Sequence, residues 1–574
     1  MRVDGSLAAS CVETGVRPAG YVNSTEPDHA PEPSRSFVAF NLASSERNPG
    51  AAASLGLVPE PAEVKLSAGQ PFVLTKRTRV VLEGNDPNLA ASGKYLAELL
   101  RRSTGFPIGL VGPGKTTRLG DIVLQTGADP ADTDSLGDEG YAFTVTATGI
   151  VIRAKAARGV FYGIQTVREL FPPTVESRAL VAGYVCSAPA IEIVDRPRFR
   201  WRGLLLDVSR HFFAKADVER LLDLMALHKL NTFHWHLTDN PGWRIAIRRW
   251  PKLTEVGAWR AQSSLEDNLA RGDGTPYGGY YSQADIREIV RYAATRFIDV
   301  IPEIELPGHS SAAICAYPQF GCSDVVGYAP YVESLFGWNP YVLAPSDSSL
   351  AFLEAVLDEV VGLFPGRFVH LGGEEVVAHQ WYESQSIRAL MRAKGLSDAR
   401  AVESYMMRRL QQFLSAHNRR LVGWDGIQDG GLPADAVMMC WRDEPRARAA
   451  ILAGYDVVMA PTHLYLDRYQ GAPSDEPPAI GGYEPLDSVY ACDVMPAGLD
   501  ADLQTHVLGA EGLIWTECIK DRAKLEYMAF PRVCALSEIV WSPNAVRDWN
   551  SFRSRLGRHL TRLSALGVHY RFLD

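Results

Sequence analysis

From Phe199 onward the chain alternates short apolar runs with amphipathic stretches, eight times over, and that rhythm restricts its fold more than any other feature. The candidate strands are Gly203 to Leu206, Thr232 to Leu237, Phe297 to Pro302, Phe368 to Leu371, Arg420 to Gly423, Ala436 to Cys440, Asp456 to Met459 and Leu508 to Ile514. Between the first two, Val218, Leu221, Leu222 and Met225 keep the i, i+3, i+4, i+7 spacing of a helix that covers one side of a sheet. Eight strand-helix units over about 350 residues predict an α/β chain with a (β/α)8 TIM barrel and long loops. The competing arrangement, an open doubly wound sheet, lacks a GxGxxG turn after any strand.

Ahead of the barrel, residues 59–195 predict a small α+β domain. Its strands are Thr78 to Leu82, Asp121 to Leu124 and Ala142 to Val145, with helices over 89–100 and 157–170. It shows no clustered acids or histidines at a strand end, so it is expected to be structural support. Residues 1–58, rich in Ala, Ser, Pro, Gly and Glu, predict a disordered leader without the apolar core of a secretory signal, which points to the cytoplasm. Asn23-Ser24-Thr25 fits a glycosylation acceptor but carries little weight without secretion. The catalytic region is then 196–574. A net charge of −9 and the lack of a Lys/Arg cluster argue against a nucleic-acid partner. No apolar run approaches the roughly 18 residues of a membrane span. Eight cysteines include no CxxC, so no zinc site is expected, although Cys315 and Cys322 are close enough to staple a loop under oxidising conditions.

Polar and aromatic residues gather after the predicted strands. Asp207, Arg210 and His211 follow the first; His236, Asp239, Trp243 and Arg244 the second; Glu303, Glu305 and His309 the third; Glu374 and Glu375 the fourth. Trp424 and Asp425, Trp441, Tyr465 and Asp467, then Trp515 and Glu517 complete the series. In a barrel the C-terminal strand ends carry the active site, so these residues predict a cup of acids, an arginine and tryptophans. Such a cup suits a sugar, whose C–H faces pack on indole and whose hydroxyls need charged acceptors and donors. Phosphate would call for a Gly-rich loop. His234-Trp235-His236 puts two imidazoles on one strand face, but no carboxylate completes a metal-binding set in the pattern, so neither metal nor cofactor is expected.

The motifs Asp207-Val208-Ser209-Arg210-His211, His234 to Asp239, Pro302 to His309, His370-Leu371-Gly372-Gly373-Glu374-Glu375 and Trp515-Thr516-Glu517 resemble those of family 20 glycoside hydrolases, the β-N-acetylhexosaminidases, over residues 59 to about 560. The resemblance implies an exo-acting, retaining enzyme acting on an oligosaccharide or glycoconjugate, in which the substrate's own acetamido group replaces the protein nucleophile. By position, Glu374 would orient that group and Glu375 would be the general acid and base. His309 and Asp239 would support Glu375, and Tyr465 would bond the acetamido oxygen. Trp424, Trp441 and Trp515 would box the ring, while Arg210, Asp467 and Glu517 would hold its distal hydroxyls. Two like charges side by side would raise the pKa of one, as a general acid needs.

Three positions depart from the family pattern. Glu374 stands for the usual Asp, Glu305 for the Asp before Pro-Gly-His, and Asn240-Pro241 interrupts the usual Asp-Asp-Gln-Gly-Trp. The extra methylene at 374 extends the carboxylate by roughly 1.3 Å, and a displacement of about 1 Å can cost on the order of a hundredfold in rate. Three readings follow: an N-acetylhexosaminidase whose pocket seats the longer acid; a glycosidase for a sugar with another 2-substituent, with Glu374 as nucleophile; or a sugar-binding relative that no longer turns over.

Overall fold

The computed structural model describes residues 55–127, 136–337, 339–431 and 435–573. The leader expected over 1–58, with its Asn23 acceptor, falls outside the described residues as far as residue 54. Its last part departs from the expectation: Leu57 and Val58 are fully buried, and the Leu57 carbonyl accepts from Arg555 Nη1 at 2.8 Å. Two adjacent large apolar side chains withdraw from water once a core lies beside them.

The first unit is a seven-stranded mixed sheet, in spatial order Glu63–Leu66, Ile191–Asp195, Tyr141–Thr146, Gly149–Ala154, Asp121–Thr126, Arg79–Glu83 and Gly109–Val111. Four of these strands were not read from the sequence: Glu63–Leu66, Gly109–Val111, Gly149–Ala154 and Ile191–Asp195. Glu63–Leu66 is mostly exposed and Gly109–Val111 has only three residues, so neither carries a hydrophobic pattern of its own. The helices Pro87–Thr104 and Ala157–Leu170 are in place. Thirteen of the fourteen residues of Ala157–Leu170 are buried, because it lies between the sheet and the barrel. Across that junction Arg202 pairs with Glu139 at 2.8 Å, and Lys229 with Asp195 at 2.9 Å.

The second unit is a closed barrel of eight parallel strands. In chain order they are β1 (Trp201–Asp207), β2 (Thr232–His236), β3 (Asp299–Leu306), β4 (Phe368–Gly372), β5 (Arg420–Trp424), β6 (Val437–Cys440), β7 (Asp456–Met459) and β8 (Val507–Ile514). β1 pairs in parallel with both β2 and β8, which closes the ring. The helix Lys215–Leu227 buries Val218, Leu221, Leu222 and Met225 as predicted. β3 differs from expectation: it runs on to Leu306, so Glu303 and Glu305 belong to the strand and are buried. Two glutamates in a strand weaken any hydrophobic reading of it; here Glu303 meets histidine partners, whereas Glu305 Oε2 is buried without a hydrogen-bond partner, and burial with the neighbouring Glu303 charge pushes Glu305 up to about 8. Cys315 and Cys322 are both buried and form no disulfide staple. Among the described residues no helix is long and apolar enough to cross a membrane.

Candidate active site

β4 ends at Gly372 and is followed by Gly373, both with left-handed backbone (φ 67° and 84°). A Cβ on Gly372 would collide with the Glu305 carboxylate and one on Gly373 with Ile427, so only glycine lets the chain turn here and deliver Glu374 and Glu375 at the rim. Glu375 itself is left-handed (φ 51°), as is His309 (φ 48°) on the facing loop. For residues other than glycine such geometry costs of order 1 kcal/mol or more and is concentrated at functional sites.

The two glutamates face different surroundings. Glu375 is exposed, with its Oε2 3.4 Å from His309 Nε2. His309 Nδ1 lies 3.1 Å from Asp239 Oδ1; Asp239 Oδ2 is 3.0 Å from His236 Nε2 and 2.8 Å from Arg210 Nη2. His236 Nδ1 meets Glu303 inside the barrel, and Glu303 also meets His370 Nδ1 at 2.7 Å, His234 Nε2 at 3.2 Å and the Trp424 indole N–H at 3.0 Å. His234 Nδ1 then reaches Glu511 at 2.6 Å. A chain of charge-assisted contacts thus runs from the rim to the barrel interior. Burial opposes ionisation throughout it, yet Glu303 lifts His236 to about 10, Glu511 and Glu303 lift His234 to about 9, and Asp239 raises His309 well above the usual imidazole range. Against the same burial, Arg210 and His309 hold Asp239 well below the usual carboxylate range.

Glu374 turns the other way and is nearly buried. Its Oε2 accepts from the Trp441 indole N–H at 3.0 Å, and its Oε1 from the Glu375 backbone N–H at 3.1 Å and from Arg442 Nη2. This overturns the expectation of two like charges side by side. The hydrogen bond from His309 holds the exposed Glu375 below its ordinary value.

The remaining predicted residues form the cup. Trp424 and Trp515 have ring centroids 5.9 Å apart, and the Arg210 guanidinium lies 5.1 Å from the Trp515 ring. Arg210 is also 3.9 Å from Glu517. Tyr465 and Asp467 follow β7, both buried. Both oxygens of Asp467, and Oε2 of Glu517, are buried without a hydrogen-bond partner. Burial and the neighbouring Glu517 charge push Asp467 up to about 7, despite Arg468.

Three residues grouped with the cup by sequence lie apart from it. Arg244 is fully buried and spends its donors on backbone carbonyls, among them Ala258 O at 2.7 Å and Ser209 O at 2.6 Å. His211 is tied to Thr516 O, and the Trp243 indole to Ile245 O at 2.7 Å. Conversely, Arg442 and Glu333 escaped the sequence reading. Arg442 was legible as the neighbour of Trp441 after β6; Glu333 lies in a long loop with no strand to place it. Burial and Asp239 push Glu333 up to about 8. Contrary to the sequence pattern, a carboxylate, Glu303, does meet both His234 and His236. The sets His234/Glu303/His370 and His236/Glu303/Glu305 each bring ligand atoms within 4.8 Å. Their imidazoles and Glu303 already pair with one another, which makes them an internal network beneath the cup.

An acid at the end of β4 backed by an imidazole, a cup of indoles, and carboxylate oxygens left open beside an arginine define a barrel glycoside hydrolase. Residues 199–544 match the model of the glycosyl hydrolase family 20 catalytic domain, and 54–196 that of glycosyl hydrolase family 20, domain 2. The chain belongs to glycosyl hydrolase family 20. It is 39% identical over 520 residues to a beta-hexosaminidase of Porphyromonas gingivalis, covering 90% of this chain but 64% of that protein's length. It is 31% identical over 534 residues to a beta-N-acetylhexosaminidase of Cellulomonas fimi, covering 90% of this chain and 96% of the relative. Among solved structures, a mutant Streptomyces plicatus beta-hexosaminidase in complex with its product GlcNAc superposes with a TM-score of 0.78 at 31% identity, over 91% of this chain and 97% of that one.

Proposed function

We propose that the protein is an exo-acting, retaining β-N-acetylhexosaminidase, which removes a terminal β-linked GlcNAc or GalNAc from an oligosaccharide or glycoconjugate through an oxazolinium intermediate. The observation that carries this reading is the set of buried carboxylate oxygens without partners on Asp467 and Glu517, with Glu517 3.9 Å from an Arg210 whose guanidinium lies over Trp515. Leaving a buried acceptor unpaired costs roughly 1–3 kcal/mol, and a sugar's hydroxyls are donors of the right number and reach. Asp467 and Glu517 accept from the distal hydroxyls and Arg210 donates to them, while Trp424, Trp441 and Trp515 box the ring.

In this reading Glu375 protonates the leaving oxygen and then activates water. His309, held cationic by Asp239, aims the Glu375 carboxylate. When sugar displaces water from the cup, desolvation raises the Glu375 pKa toward the value a general acid needs. Glu374 orients the acetamido N–H and offsets the positive charge that develops there, and Tyr465 bonds the acetamido oxygen. A carboxylate with three protein donors on its oxygens is a poor nucleophile, which supports the orienting role over direct attack.

A thiazoline analogue of the oxazolinium ion, together with a 2-fluoro glycoside, tests the mechanism. Tight thiazoline inhibition without labelling is expected. A covalent adduct on Glu374 in the mass spectrum would overturn the proposal in favour of a protein nucleophile.

A further inference from the structure

The orienting acid is longer by one methylene than the aspartate that the motif comparison leads one to expect, and it therefore has one more torsion to fix. The structure contains the part that fixes it. Of the three donors to Glu374, the Trp441 indole and the Glu375 backbone are carried on rigid positions, whereas Arg442 adds a charged fork. Arg442 is braced in turn. Its Nη1 lies 3.5 Å from Asp425 Oδ1, its backbone N–H donates to Asp425 Oδ2 at 3.3 Å, and its guanidinium lies 5.4 Å from the Trp441 ring centroid. Asp425 is fully buried and its Oδ1 has no hydrogen-bond partner, so the ion pair with this guanidinium is what faces that oxygen. The ends of β4, β5 and β6 are thereby joined through one arginine. An aspartate at 374 would stop roughly 1.3 Å short of the same donors.

We propose that Arg442 is the positioning residue that allows a glutamate to serve at position 374: its fork, held by Asp425, locks the extra torsion and presents the carboxylate in one orientation. The proposal rests on the reading of Glu374 as the acid that orients the acetamido group. It carries a sign that separates it from a purely electrostatic role. A cation beside a developing positive charge opposes that charge, so an arginine that acted only through its field would slow the reaction, and its removal would speed it. A positioning arginine has the opposite effect.

The test is a double-mutant cycle of Arg442→Met and Glu374→Asp on an aryl β-GlcNAc substrate, with thiazoline affinity measured for all four proteins. In the wild-type background Arg442→Met should lower kcat about 10- to 100-fold, the scale of a displaced reacting group, and change KM less than about threefold. Arg442→Lys, which restores charge without the fork, should recover only part of the loss. In the Glu374→Asp background the same Arg442→Met change should cost less than about threefold, because the shorter acid does not reach the fork. Equal losses in both backgrounds, no loss, or a gain in kcat would overturn the positioning role. A wild type that neither turns over N-acetylhexosaminides nor binds thiazoline would instead overturn the underlying functional reading, and this proposal with it.

Discussion

Glu374 and Glu375 are adjacent in the chain, yet the two sides of the cup they enter are built on different principles. On the Glu375 side an exposed acid leans on a buried network, in which His309, Asp239, His236, Glu303, His234 and Glu511 alternate in charge down the barrel axis. On the Glu374 side a buried acid leans on a half-exposed arginine whose own anchor, Asp425, sits one strand further round. The first arrangement keeps the supporting charges in a medium where each pairing is strong and any lost partner is expensive. The second puts the flexible component where solvent screens it. The difference teaches that the general acid stands at the solvent edge with its support fixed beneath it, whereas the orienting acid is held in one orientation by three donors.

The largest expected effect probes the exposed acid. Glu375→Gln should lower kcat/KM about 10²- to 10⁴-fold on substrates with poor leaving groups, and far less on activated aryl glycosides, which need little protonation. Equal losses on both substrate types would remove Glu375 from proton transfer and erase the contrast between the two acids.

The network beneath it should appear in stability. Glu303→Gln leaves His236 and His234 buried without their shared anion, and breaking a buried pair in this way costs roughly 3–5 kcal/mol. Arg442→Met, which removes a partly solvated cation from the buried Glu374 and Asp425, should cost less, about 1–3 kcal/mol. Urea unfolding of the two variants compares the sides directly, and similar losses would mean that the two acids are supported alike.

The smallest effect concerns pH. Asp467 has a folded-state pKa of about 7 against an ordinary value of 3.8. The folded protein therefore holds a proton that the unfolded chain releases between about pH 4 and 7, and the stability contributed by this group falls as pH rises through that window. Sugar binding should change the other way, since an ionised acceptor makes the stronger hydrogen bond. KM should rise as pH is lowered from about 8 to 6, and Asp467→Asn should flatten that dependence; a slope unchanged in the variant would assign it to another group.

Much of this is legible in the sequence. The eight strands of the barrel fall where apolar runs of the right length stand, because a parallel strand buried on both faces must be apolar nearly throughout. The exception, β3, was read short because Glu303 and Glu305 interrupt that rule. The burial of Glu303 depends on imidazoles delivered by β2 and β4, partners that local sequence does not display, while Glu305 is buried with an unpaired oxygen. Arg244 and His211 were grouped with the cup because position after a strand gives the end of the barrel but not the direction of a side chain. Arg244 turns to backbone carbonyls that only the folded loops bring together.

The sequence by itself determined the alternation of strands and helices, the strand that each polar residue follows or ends and the motifs that name the family, since all of these are periodicities or short spacings along one chain. Tertiary structure alone decided that neighbouring glutamates point apart, that Glu303 joins three histidines, that Asp467 and Glu517 keep open oxygens, and that Arg442 closes on Glu374. The physical reason is that charge and hydrogen bonding are settled by distances across strands. Residues 68 positions apart, such as Glu374 and Arg442, become partners only when the barrel closes.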